Sequence, residues 1–169
     1  MKRGSYIIHG SGGYDMARLN VGNGLEEYLS KLGNLAYKSM DMCKEAAKEG
    51  GKIVADAIRA EMDALPTDDK HGTKLNPKKG PRVIEKIGLQ HSFGVAPVRN
   101  DNGYINVKCG FDGYNVRGKA NALVARSVVK GTSFMQRNNF VGRATRKSKK
   151  AAEDKMKLTV DETINSIMN

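Results

Sequence analysis

The residues able to do acid–base, nucleophilic or metal chemistry are few in this chain, and their spacing suits none of it. His9, His71 and His91 are scattered, with no carboxylate or thiol at a ligand spacing, and read as surface or loop histidines. Cys43 and Cys109 are the only cysteines and lie far apart, which supports neither a disulfide framework nor a zinc site and fits a reduced, intracellular protein. The segment GSGGYD (10–15) approaches a dinucleotide-binding fingerprint, but Asp15 stands at the third glycine position and no strong strand precedes it. HGTKLNPKKG (71–80) carries lysines and glycines without the spacing of a phosphate-cradling loop. Ser127 and Thr132 have no local signature of an activated nucleophile. These residues predict a protein that is not an enzyme and takes neither a metal ion nor a cofactor.

The remaining chemistry is charge. Lys and Arg number 29 against 18 Asp and Glu, and the net +11 favours partners of negative charge, nucleic acid or acidic protein surfaces alike. The cations concentrate in RNNFVGRATRKSKKAAE (137–153), which holds Arg137, Arg143, Arg146, Lys147, Lys149 and Lys150. Helical spacing places Arg143, Lys147 and Lys150 on one side, a row able to meet phosphates or an acidic partner. The plain alternative is the solvated face of a helix, since Glu153 and Asp154 soon follow. No helix-turn-helix or zinc-finger pattern is present, and no aromatic but Phe140 lies among the cations, so sequence-specific DNA reading is the least favoured use. Cations near a helix N-terminus also oppose the macrodipole, so something other than helix stability placed them there.

The elements that must carry these residues follow from periodicity. Residues 1–24 form a glycine-rich arm around Tyr6, Ile7 and Ile8, candidates for contacts between subunits. The apolar run there is too short for a signal-peptide core, and no stretch approaches a membrane span. From Leu25 to Leu65, Leu25, Leu29, Leu32, Ala36, Cys43, Ala46, Ile53 and Ala57 recur at steps built from three and four. That predicts an amphipathic helix of about 60 Å at 1.5 Å per residue, with a bend or break at Gly50-Gly51 and an end at Pro66. The loop Thr67 to Arg82 is basic and too long for a simple connection, and Lys74, Lys78 and Lys79 join the candidate contacts.

Beyond the loop, Ile87, Leu89, Phe93 and Val95 alternate with polar or small residues, as do Ile105, Val107, Cys109 and Phe111. With Asn102-Gly103 between them, the two runs predict a β-hairpin. A short helix over Asn121 to Val129 is closed by Gly131. Asn139 caps a last helix whose apolar stripe runs Phe140, Ala144, Ala151, Met156, Val160, Ile164 and Ile167. With no tryptophan and few aromatics, the core must rely on aliphatic side chains and methionine. The expected fold class is α+β: a long N-terminal helix, a small antiparallel β-sheet with a hairpin, a short helix and a C-terminal helix packed on the sheet, in one domain over 25–169.

Taken in order, LQHSFGV, NGYINVKCGFDGYN, NALVARSVVKGTS and NNFVGRATRKSKKAAEDKM resemble the minor tail-component family of long-tailed phages and prophages, proteins of the neck or tail top. Leu89 and Ser92 match that family's strand start, Gly110 its strand end, Gly131 and Thr132 its Gly-Thr turn, and Phe140 with Ala144 its basic last helix. Val129 stands where the family commonly has Glu, and Asn139 where it commonly has Pro. The resemblance covers roughly residues 25 to 169. It implies a non-enzymatic virion protein, made in the host cytoplasm, that completes the tail and joins it to the head. The implied partners are copies of itself in a ring, six being one candidate number, and other neck and tail proteins, with genomic DNA passing close by and no membrane. A small basic nucleic-acid-binding protein acting through the Lys/Arg helix face is the alternative.

Overall fold

The computed structural model describes residues 23–169 and has an α+β fold. Eight elements follow in order: α1 (Asn23–Asp63), α2 (Val83–Ser92), β1 (Phe93–Val95), β2 (Arg99–Asp101), β3 (Tyr104–Asn106), β4 (Cys109–Phe111), α3 (Asn121–Lys130) and α4 (Phe140–Met168). The arm proposed for 1–24, with Tyr6, Ile7 and Ile8, falls almost entirely outside the described residues.

α1 runs 41 residues without the break that was one of the two expectations at Gly50-Gly51. The two glycines serve close packing instead. A Cβ on Gly50 would lie 2.7 Å from Met156 Cγ on α4, and one on Gly51 would lie 2.8 Å from Val107 Cγ1. α4 returns antiparallel along α1, since Lys31 Nζ donates to the Met168 carbonyl at 3.0 Å at one end and Arg143 meets Glu61 at the other. The seam between them is lined by small side chains: Ala46 and Gly50 on α1, Ala144, Ser148 and Ala152 on α4 are all buried. Ala152, and not Ala151, therefore carries the inward stripe of α4. Ser148 and Thr159, also buried, turn their hydroxyls back onto the Ala144 and Lys155 carbonyls, so their polar atoms are satisfied within the helix.

The stretch containing Ile87 and Leu89 is helical, which corrects the strand expectation, and with it the placing of Leu89 at a strand start. The carboxylate of Glu85, three residues into α2, accepts from the Arg82 backbone N–H at 3.0 Å and so fastens the first turn. Buried Glu85 and Leu89, with Phe93 just beyond, follow a four-residue step that an odd-numbered apolar alternation conceals. The hairpin exists but is split. β1 pairs with β4 and β2 with β3, both antiparallel, and the Ala96 N–H to Lys108 carbonyl bond (2.7 Å) continues the ladder between them. Pro97 has no N–H to add, and regular pairing lapses there. Asn102 (φ 54°) and Gly103 (φ 91°) make the expected turn. Gly110 is the middle residue of β4, opposite Gly94, and does not end the strand.

α3 ends at Gly131, whose φ of 76° closes the helix. Thr132 then exchanges backbone bonds with Met135. Asn139 caps α4, its side-chain oxygen accepting from the Gly142 N–H at 3.1 Å. Phe140, fully buried, opens α4 and meets the Phe111 ring edge-on, with centroids 6.3 Å apart; this is where α4 rests on the strands. The same cluster gathers Ala55, Ile58, Met62 and Leu65 from α1 and its exit, Leu89 and Phe93, and Val124, Ala125 and Val128 from α3. The loop Thr67 to Arg82 is fixed to this body. The Asp68 carboxylate accepts from the Lys70 and Lys79 N–H groups, and Lys78 exchanges backbone bonds with Phe134 and Gln136.

Candidate assembly surfaces and the basic face

The basic row of α4 is partly bound within the fold. Arg143 Nε donates to Glu61 Oε2 at 2.9 Å and its Nη2 to Asn138 Oδ1 at 2.9 Å, while Lys147 Nζ donates to the other oxygen of Glu61. Two of the three cations predicted to form a phosphate-binding row thus clamp α4 to α1. Arg146 Nε is bonded to the Gly142 carbonyl, and Lys149 lies 3.9 Å from Glu153. Lys150 and Arg137 are exposed and make no ion pair among the described residues. The Lys147 and Lys149 side chains nevertheless stay 71% and 72% exposed.

Glu61 was not singled out in the sequence, because a lone carboxylate on a long charged helix carries no signal of a partner on another helix. Its carboxyl is held below the ordinary value of 4.5, first by the bond from Lys147 and then by that from Arg143. A depressed folded value means that the stabilisation is present above 4.5 and is lost as pH falls through the lower folded value. Replacing Glu61 with Gln should lower the thermal midpoint at neutral pH, with the gap between wild type and variant narrowing as the solution is acidified below 4.5. Midpoints measured from pH 7 to pH 3 check this; a gap constant with pH would show that the clamp carries no charge-linked stability.

Of the loop lysines, Lys74 and Lys79 are exposed, whereas the Lys78 ammonium lies 3.6 Å from the buried carboxylate of Glu85, which Lys119 approaches to 3.9 Å. Glu85 borders an open cleft of about 590 Å³ between α3 and the 131–135 turn. Its oxygens face two ammonium groups and one backbone N–H, and no activated nucleophile stands beside them. Ser127 Oγ, on the same cleft, donates to the Leu123 carbonyl, and Thr132 Oγ1 accepts from the Phe134 N–H. Among the described residues no three His, Cys, Asp or Glu side chains gather in a way that could hold a metal ion. Cys43 is exposed, and burial pushes the Cys109 thiol up from its ordinary value. No helix of the described residues is long and apolar enough to cross a membrane.

Two apolar surfaces stand open. The first is the free end of α1. Toward its N-terminal end Leu25, Tyr28, Leu29 and Leu32 are 38–57% exposed, where Lys31 bonds the Met168 carbonyl of α4. The second is a groove of about 340 Å³ between α2 and the 112–116 loop, walled by Ile84, Ile87, Tyr114 and Val116. All four walls are exposed, Tyr114 and Val116 by 76% and 80%. Asn115 and Asn121 border the groove, each more than nine-tenths buried, and Asn115 Nδ2 and Asn121 Oδ1 have no hydrogen-bond partner. Buried polar atoms of this kind are ordinarily satisfied. Sequence reasoning missed the groove because its walls come from two segments separated by both hairpin ladders; the only local sign was Ile84 and Ile87, three apart on a helix read as a strand.

No family model, curated protein or solved structure matches the chain.

Proposed function

We propose that the chain is a non-enzymatic structural subunit that assembles with copies of itself, and that its place is the neck or tail top of a long-tailed phage, completing the tail and joining it to the head. The observation that carries the assembly reading is the pair of open apolar surfaces, one at the free end of α1 and one beside α2. Contiguous apolar surface on a small soluble domain marks a contact with another macromolecule. The phage placement rests on the family resemblance over 25–169; the order α1, α2, paired strands, α3 closed by Gly131 and basic α4 opened by Phe140 supports it, while Leu89 within α2 and Gly110 inside β4 depart from it. In a phage that encodes the chain, its deletion should leave filled heads beside unattached tails. Deletion particles with normally joined, infectious virions would remove the placement.

The nucleic-acid reading keeps the net charge of +11 in its favour. Against it stands the carboxylate of Glu61, which occupies Arg143 and Lys147. Duplex binding with a steep salt slope that falls when Arg143, Lys147 and Lys150 become Ala would favour that reading.

A further inference from the structure

We propose that the cleft between α3 and the 131–135 turn is a docking site for an acidic segment of a partner protein, one that also carries aliphatic side chains. The site goes beyond the assembly reading and is independent of the two open apolar surfaces on which that reading stands. Between Asp112 and Glu153 the chain has no Asp or Glu at all. The cations of that stretch that precede α4 are Arg117, Lys119, Arg126, Lys130 and Arg137. All five are exposed, and only Lys119 has an ion-pair partner among the described residues.

The fold gathers these cations around the cleft. Lys119 lines it, as does Gly118, the neighbour of Arg117. Leu123 and Ser127 line it from α3, and residues three apart are neighbours on a helix surface, so Arg126 and Lys130 stand beside them. Arg137 lies against Gly131, where a Cβ would come within 3.0 Å of its backbone nitrogen. Inside, the cleft is lined by aliphatic side chains and methionine, from Ala120, Leu123, Val124 and Met135, and Leu123 is 61% exposed. Its one carboxylate, Glu85, is buried and faces two ammonium groups, Lys78 at 3.6 Å and Lys119 at 3.9 Å, so the interior too has a positive surplus.

An apolar cleft rimmed by unpaired cations complements a segment that carries leucine-like side chains among Asp and Glu. Nucleic acid fits less well, because bases stack on rings and Tyr114 is the one aromatic lining the cleft among the described residues. A second copy brings the same net charge of +11, which opposes approach.

The test uses the full chain and the fluorescence anisotropy of a labelled amphipathic peptide of glutamate and alanine with leucine at every third or fourth position. The peptide should bind, and its counterpart with lysine for glutamate should not. Leu123→Ser should weaken binding about tenfold, through the loss of one leucine contact. Arg126→Glu should do the same by reversing a rim charge. Lys150→Glu changes the net charge equally but lies about 15 Å along α4 from Phe140, and should leave binding within about twofold. Circular dichroism establishes that the three variants are folded. Absence of peptide binding would overturn the proposal, and so would equal weakening by Arg126→Glu and Lys150→Glu, since overall charge would then account for the binding. Tighter binding of single-stranded oligothymidylate, weakened by Leu123→Ser and Arg126→Glu, would overturn it in favour of nucleic acid. An oligomer mass that changes with Arg126→Glu would overturn it in favour of a second copy.

Discussion

Phe140→Ala is expected to lower the unfolding free energy by about 3–5 kcal/mol, the usual cost of emptying a fully buried aromatic site. Phe140 has no solvent exposure, abuts Phe111 edge-on and is the first residue of α4. Its removal opens a cavity where helix, strands and α3 meet, and the aliphatic neighbours Ile58, Leu89 and Val128 are held on other elements and cannot all move in to fill it. Urea unfolding of both proteins measures the difference. A loss under about 1 kcal/mol would mean that the site collapses readily and that Phe140 does not anchor α4.

The second large effect separates two residues that the sequence pattern treats alike. Leu89→Ala should cost about 2–5 kcal/mol, whereas Ile87→Ala should stay within about 0.5–1 kcal/mol because Ile87 lies on the surface. Both residues belong to the same odd-numbered alternation, and a strand would bury them together. α2 instead turns Leu89 inward, with no exposure, and leaves Ile87 46% exposed at the groove. Equal losses at the two positions would contradict the helix over Val83–Ser92.

These two positions show what was legible. Signals confined to a few residues read correctly: the Asn102-Gly103 turn, Gly131 past α3 and Asn139 capping α4, because each depends on backbone preference alone; of the stripe expected on α1, only Ala46 is buried, and Ala55, Ile58 and Met62 take the core positions instead. The failures have long-range causes. Gly50 and Gly51 look like a weak point until Met156 and Val107 are brought against them. The basic row looks like an open grip until α4 lies antiparallel on α1 and Glu61 arrives between Arg143 and Lys147. The hairpin was legible and its division was not, though Pro97 offered a sign. The candidate site was least legible of all. That Leu25, Leu29, Leu32, Ala36 and Cys43 keep the apolar period and yet stay exposed is invisible in the sequence, since burial depends on where the strands, α2 and α4 come to rest. The Asn115 and Asn121 amides acquire meaning only once the chain turns back and buries them beside α2.

The central claim is that this chain is an assembly subunit, and the molar mass of the purified full-length protein in solution tests it most directly. Sedimentation equilibrium across a wide concentration range should give a closed oligomer with a discrete mass at a whole multiple of 18.4 kDa. A single species of 18.4 kDa at every concentration would contradict the account.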